Sequence, residues 1–157
     1  MRMYYLAALL FVGCSVSDTS HKIKEFTKCY VDKLPAPFWV CYQSSFLSVG
    51  KVHSSKLNRL KQEEAYSLAV TDLINKLRHK TALLLQKLKI KDHEKILDDM
   101  KDFVVLNAIQ GESWYNTKEK LIYVQVKVGK EDFKKYLLSS LENIKEEEFN
   151  KNFNEVF

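Results

Sequence analysis

The chain has 157 residues, of which 46% are hydrophobic and 29% charged, with a formal net charge of +5. That balance excludes a disordered polar segment and fits one globular domain of ordinary size. The positive surplus is dispersed, with Lys87, Lys89 and Lys91 offset by acidic Glu146, Glu147 and Glu148. A general nucleic-acid binder shows instead a single-sign stripe with stacking aromatics, so no nucleic-acid partner is expected and only a mild bias toward anionic surfaces follows.

Residues 1–14 read MRMYYLAALLFVGC: one Arg, an apolar run from Met3 to Val12, then Gly13 and Cys14. The run is much shorter than the roughly 20 residues of a membrane-spanning helix and matches a secretory leader. Its end, Leu10-Phe11-Val12-Gly13-Cys14, resembles a bacterial lipobox, with Phe11 where Leu is usual. The expectation is a signal peptide over 1–13, with Cys14 lipidated and holding the protein on a membrane. Ser15 follows it rather than the Asp of inner-membrane retention, which favours the outer membrane. Residues 15–22 are small and polar, a tether within a 14–34 segment that ends in a short helix over 23–34.

Pro35-Ala36-Pro37 stops that helix, and a single α+β domain is expected over 35–149. Residues 38–42 (FWVCY) and 46–52 (FLSVGKV) are aromatic and β-branched and predict strands. Gly50 inside the second predicts a bulge or a close backbone contact. A long helix follows, capped by Ser54 or Ser55, with Tyr66, Val70, Leu73, Leu77, Leu84 and Leu88 in one stripe. Ala65 and Ala69 on that helix permit close approach to a sheet. A shorter helix over 94–101, capped by Asp92, leads to a buried-type strand over 103–109 that continues at 112–115. Residues 116–120 form a hairpin loop. Residues 121–128 alternate, with Ile122, Val124, Val126 and Val128 on one face and Tyr123 and Gln125 on the other. Phe133, Tyr136, Leu137, Leu141 and Ile144 mark a last helix, with residues 146–148 at its fraying C-terminal end and 150–157 as a tail. The pattern predicts a two-layer α+β sandwich: a three- or four-stranded antiparallel sheet, with a long helix and a C-terminal helix on one face and the other face wet.

No constellation for catalysis appears. The sequence has no Gly-rich phosphate loop, GxSxG or HExxH, and the four histidines never fall at ligand spacing. No enzyme activity, cofactor or metal is expected. Cys29 and Cys41 lie downstream of an export signal, where disulfides persist, and the prolines between them favour a turn back. A disulfide between them, two unrelated thiols and intermolecular pairing all remain open. Trp39, Trp114 and Tyr123 are candidate protein contacts: Trp39 near the tether, Trp114 beside the hairpin loop, Tyr123 opposite the buried valines. The alternative is that they are core or rim residues.

Pro37-Phe38-Trp39-Val40, Ser48-Val49-Gly50-Lys51, Ala65, Ala69 and Asp72, Ser113-Trp114-Tyr115 and Leu121-Ile122-Tyr123-Val124 together resemble the Lpp-twenty family of small bacterial lipoproteins. The resemblance spans about residues 35–141 and departs at Ser54-Ser55-Lys56 and in carrying Cys29 and Cys41. It implies an outer-membrane lipoprotein or surface antigen without catalysis. One branch of the family builds a disk around the flagellar motor, and others are linked to host contact. Partners expected are the membrane through the lipid, copies of the chain, and envelope or flagellar proteins. A surface-displayed module contacting a host or envelope ligand is the second expectation.

Overall fold

The structure, a computed structural model, describes residues 28–42, 44–91 and 93–157. The expected signal peptide, Cys14, most of the tether and the Asp92 cap lie outside the described residues. The fold is α+β. Two short strands, β1 (Cys29–Val31) and β2 (Leu34–Ala36), pair as a hairpin. A single helical turn, α1 (Phe38–Cys41), follows Pro37. Then come strand β3 (Leu47–His53), helices α2 (Arg59–Lys87) and α3 (His93–Asn107), strands β4 (Ile109–Asn116) and β5 (Leu121–Lys127), and helices α4 (Lys130–Ser139) and α5 (Glu146–Val156).

The main sheet has the order β3-β5-β4 with both pairings antiparallel, so β3 and β4 run parallel with β5 inserted between them. Ile122, Val124 and Val126 on central β5 face α2 and are fully buried. The 29-residue α2 rests on β3 and β5 through Ala65 and Ala69. This contact requires Gly50: a Cβ there would lie 1.8 Å from the Ala65 carbonyl oxygen and 2.9 Å from the Ala69 nitrogen. The expected close backbone contact is therefore real, and helix backbone meets strand backbone with no side chain between. On its outer side α2 receives α3 and α5. Leu73, Leu77 and Leu84 of α2 share one core with Met100 and Val104 of α3, Phe133 and Leu137 of α4, and Phe149, Phe153 and Val156 of α5.

Several predicted elements differ. Where a helix was expected over 23–34, the described part is the β1–β2 hairpin. Asp32 and Lys33 take left-handed conformations (φ 46° and 67°) at its two-residue turn, as such hairpins demand. Residues 38–42 are not a strand: Pro37, with φ fixed near its helical value, leads into one turn, and Val40 N–H donates to the Pro37 carbonyl. The cap of α2 is Asn58, whose side chain accepts from the Lys61 N–H at 2.9 Å. Ser54 instead ties the loop before it, donating to the Lys56 carbonyl and accepting from Asn58. Residues 103–107 belong to α3 rather than a strand, and a short apolar run cannot distinguish the two. The helix buries Val104 and leaves Leu106 83% exposed.

The largest correction is at the C-terminus. Residues 150–157 are no tail, and the folded unit runs to the end of the described chain. Helix α4 stops at Ser139, Asn143 is left-handed at φ 61°, and a new helix begins. Glu146, Glu147 and Glu148 thus sit in the first turn of α5, where the helix dipole favours them. Phe153 and Phe157 stack on Phe46 at the start of β3, with ring centroids 6.4 and 5.5 Å away. Lys80 donates to the Val156 carbonyl and Lys87 pairs with Glu155, fastening α5 to α2.

Two substitutions test this packing. Gly50→Ala should destabilise the chain by about 1–3 kcal/mol or more in urea unfolding, since neither backbone can yield without moving an element. Phe153→Ala should cost about 3–5 kcal/mol, the range for a fully buried phenylalanine. A Phe153→Ala chain with an unchanged urea midpoint would mean that 150–157 is the tail its sequence suggests.

Candidate functional site

The residues singled out from sequence, Cys14 aside, gather at the second face of the sheet, which is covered over Tyr123 and left exposed at Lys51, His53, Glu112 and Lys127. Cys29 of β1 and Cys41 of α1 are joined by a disulfide, so of the three possibilities the intramolecular pair is the one observed. The staple makes β1, β2 and α1 a small lid. Trp39 on α1 is 7% exposed, and its Nε1–H donates to Glu112 Oε2 on β4 at 2.9 Å. At the hairpin turn, Asp32 pairs with Lys118 of the β4–β5 loop at 2.8 Å.

A bulge in β4 makes the Trp39 contact possible. Gln110 pairs with Val126 but Ser113 with Val124, so Gly111 and Glu112 together oppose Gln125. The extra residue brings Glu112 to the lid side. A side chain at Gly111 would meet the Gln125 amide 2.1 Å away. Beneath the lid, Tyr123 is 2% exposed, its ring 5.1 Å from that of Trp114 and beneath the Lys51 ammonium. The Tyr123 hydroxyl donates to Glu119 at 2.9 Å. Burial, then that hydrogen bond and the Glu119 charge, push the phenol up to about 12, so it remains a donor across ordinary pH.

The expected contact surface is thereby corrected. Trp39 and Tyr123 are interior residues of a lid–sheet interface and Trp114 is half-buried. The error came from assigning 38–42 to a strand: as a helical turn, the segment swings Trp39 onto the sheet. Among the described residues the exposed aromatics are Tyr30, Phe38 and Tyr42, at 54%, 43% and 47% exposure, on the lid or directly after it. Tyr30 alternates with inward Cys29 and Val31, a period-two signal present in the sequence.

A polar network missed in the sequence joins β3 to α2. The buried Ser48 hydroxyl donates to Asp72, which also pairs with Lys76 at 2.7 Å, beside an open pocket of about 210 Å³ between α1, β3 and α2. Burial raises the Asp72 carboxyl, but hydrogen bonds from Lys76 and Ser48 and the Lys76 charge outweigh it and hold the group below 3.8. Asp72 is shared between the Ser48 hydroxyl and the Lys76 ammonium, so the bond ties β3 to α2. Two larger clefts, about 480 and 400 Å³, flank α3 where Asp99 and Ser140 meet. The Tyr136 hydroxyl is buried there without a partner. Among the described residues no group of three or more His, Cys, Asp or Glu side chains converges to hold a metal ion. No helix among them is long and apolar enough to cross a membrane.

No protein-family model matches the chain. No curated protein is similar to it. Ser48, Gly50, Ala65, Ala69 and Asp72 lie at the β3–α2 contact, and Trp39 packs from the lid toward the sheet face that carries Trp114 and Tyr123.

Two outcomes follow. Because the folded Asp72 carboxyl lies below its unfolded value, its network stabilises the fold above about pH 4 and is lost as pH falls through the lower folded value. Asp72→Asn should therefore destabilise the chain near neutrality, with the difference shrinking as pH falls below the ordinary carboxylate range; a difference that widens toward acid would reverse the assignment. Replacing both Cys29 and Cys41 with Ser removes a staple worth about 3 kcal/mol in the chain-entropy model. Tryptophan emission should shift to the red and become quenchable by iodide while far-UV helix content holds, as the lid carries Trp39 away from the sheet.

Proposed function

We propose that this chain is an exported envelope lipoprotein, held on the outer membrane through a lipid on Cys14, with a structural or assembly role rather than a catalytic one. The Cys29–Cys41 disulfide carries the reading, because such bonds persist outside the reducing cytosol and the leader-like residues 1–14 supply the route there. The resemblance to the Lpp-twenty family points the same way, toward the cell envelope and, in one branch, the flagellar motor. Three polar pairs hold elements together: Ser48 with Asp72, Trp39 with Glu112 and Tyr123 with Glu119.

Assembly would proceed through the lid, which concentrates Tyr30, Phe38 and Tyr42 on one stapled unit, since exposed aromatics dominate protein interfaces. The same surface supports the second reading, a displayed module that contacts a host or envelope ligand.

Cys14→Ser tests the anchor. The wild-type chain should fractionate with outer membranes, take up labelled palmitate and resist extraction by high salt, whereas the variant should move to the soluble fraction. A variant as membrane-bound and as labelled as wild type contradicts the proposal.

A further inference from the structure

One end of the molecule collects chain segments distant in sequence. The β3–α2 loop meets the β4–β5 loop, where the Ser54 N–H donates to the Lys120 carbonyl at 2.8 Å and the Tyr115 hydroxyl to the Ser54 carbonyl at 3.1 Å. The β1–β2 turn joins them through the Asp32–Lys118 pair. Six cations stand at this end: Lys33, Lys56, Arg59, Lys61, Lys118 and Lys120. Four carboxylates accompany them. Glu63 pairs with Arg59, Glu64 with Lys61 and Asp32 with Lys118, while Glu119 faces Asn116 and Tyr123. Among the described residues Lys33, Lys56 and Lys120 have no carboxylate partner, and all three are exposed. Leu57 and Leu60, 52% and 78% exposed, alternate in the chain with Lys56, Arg59 and Lys61 at this end. Nothing in the core needs these leucines: the stripe of α2 that meets the sheet begins at Ala65.

We infer that this end is a docking surface for the anionic face of a lipid bilayer. Lysines without internal partners gain from anionic headgroups, and leucines set between them gain by entering the headgroup–acyl boundary. A bare polyanion such as nucleic acid rewards the lysines but not the leucines. The inference deepens the proposed anchoring, since a lipid on Cys14 would keep this end within reach of a membrane. The 14 residue-to-residue steps from Cys14 to Lys28 span at most about 50 Å. The patch would then fix how the tethered domain lies on the membrane, with the opposite end presented away from it.

The test uses the chain from residue 14 onward with Cys14→Ser, which retains every described residue and cannot be lipidated. It is sedimented with vesicles of phosphatidylcholine alone or mixed with phosphatidylglycerol. Binding is expected only to the mixed vesicles and should fall as salt rises. K56E/K120E and L57S/L60S should each weaken it about tenfold or more. K135E/K151E, which changes the net charge equally on α4 and α5, should not. The patch is overturned if the control weakens binding as much as K56E/K120E, if L57S/L60S binds as wild type, or if neutral vesicles bind equally. Fractionation and palmitate labelling of the full chain report the Cys14 anchor separately, so either claim can fail while the other stands.

Discussion

The fold depends on the backbone-to-backbone approach of α2 to β3, possible only because Gly50 faces Ala65 and Ala69. Without a side chain at the crossing, the helix sits close to the sheet, and Tyr66 packs against both apolar clusters while Leu73 enters the larger one. Ser48 and Asp72 then lock the register of helix on strand one turn beyond the crossing. A 29-residue helix is about 43 Å long, longer than a seven-residue strand can cover, so α2 overhangs the sheet. That overhang is where α3 and α5 dock, and where the Phe46, Phe133, Phe153 and Phe157 rings close the core.

The opposite face of the sheet is organised differently. Three-residue strands and a four-residue helical turn bury too little apolar surface to hold themselves in place. Their position depends on a covalent link and a few directed contacts: the disulfide, Trp39 to Glu112, and Asp32 to Lys118. The molecule therefore combines a core held by packing with a lid held by oxidation. In a reducing compartment the lid would lose its strongest constraint while the helices kept theirs.

The sequence was most legible where one period dominated. The alternation at Ile122, Val124 and Val126, the stripe of α2 and the small residues at 50, 65 and 69 all lie as their spacing implies. It was least legible where a segment's neighbours decide its state. Residues 103–107 and 38–41 are short apolar runs compatible with helix or strand, and tertiary contacts made both helical. The acidic triplet at 146–148 disfavours a helix end but favours a helix start, and only the left-handed Asn143 between α4 and α5 decides which applies. Once the triplet is taken as a start, Phe149, Phe153 and Val156 fall on one helical face. The Ser48–Asp72 bond and the β4 bulge that presents Glu112 depend on three-dimensional register and carry no local signature.

Native-state hydrogen exchange across a denaturant series tests most directly whether the α2–sheet contact governs the whole core. The slowest amides should be those of Leu73 and Leu77 on α2 and of Val124 on β5, all opening only with global unfolding. The lid amides should open at lower free energy, and those of α4 and α5 no later than α2. If the α2 amides instead exchange through a partial opening while α4 and α5 stay protected, the core is held by its C-terminal helices and the close approach at Gly50 is not its foundation.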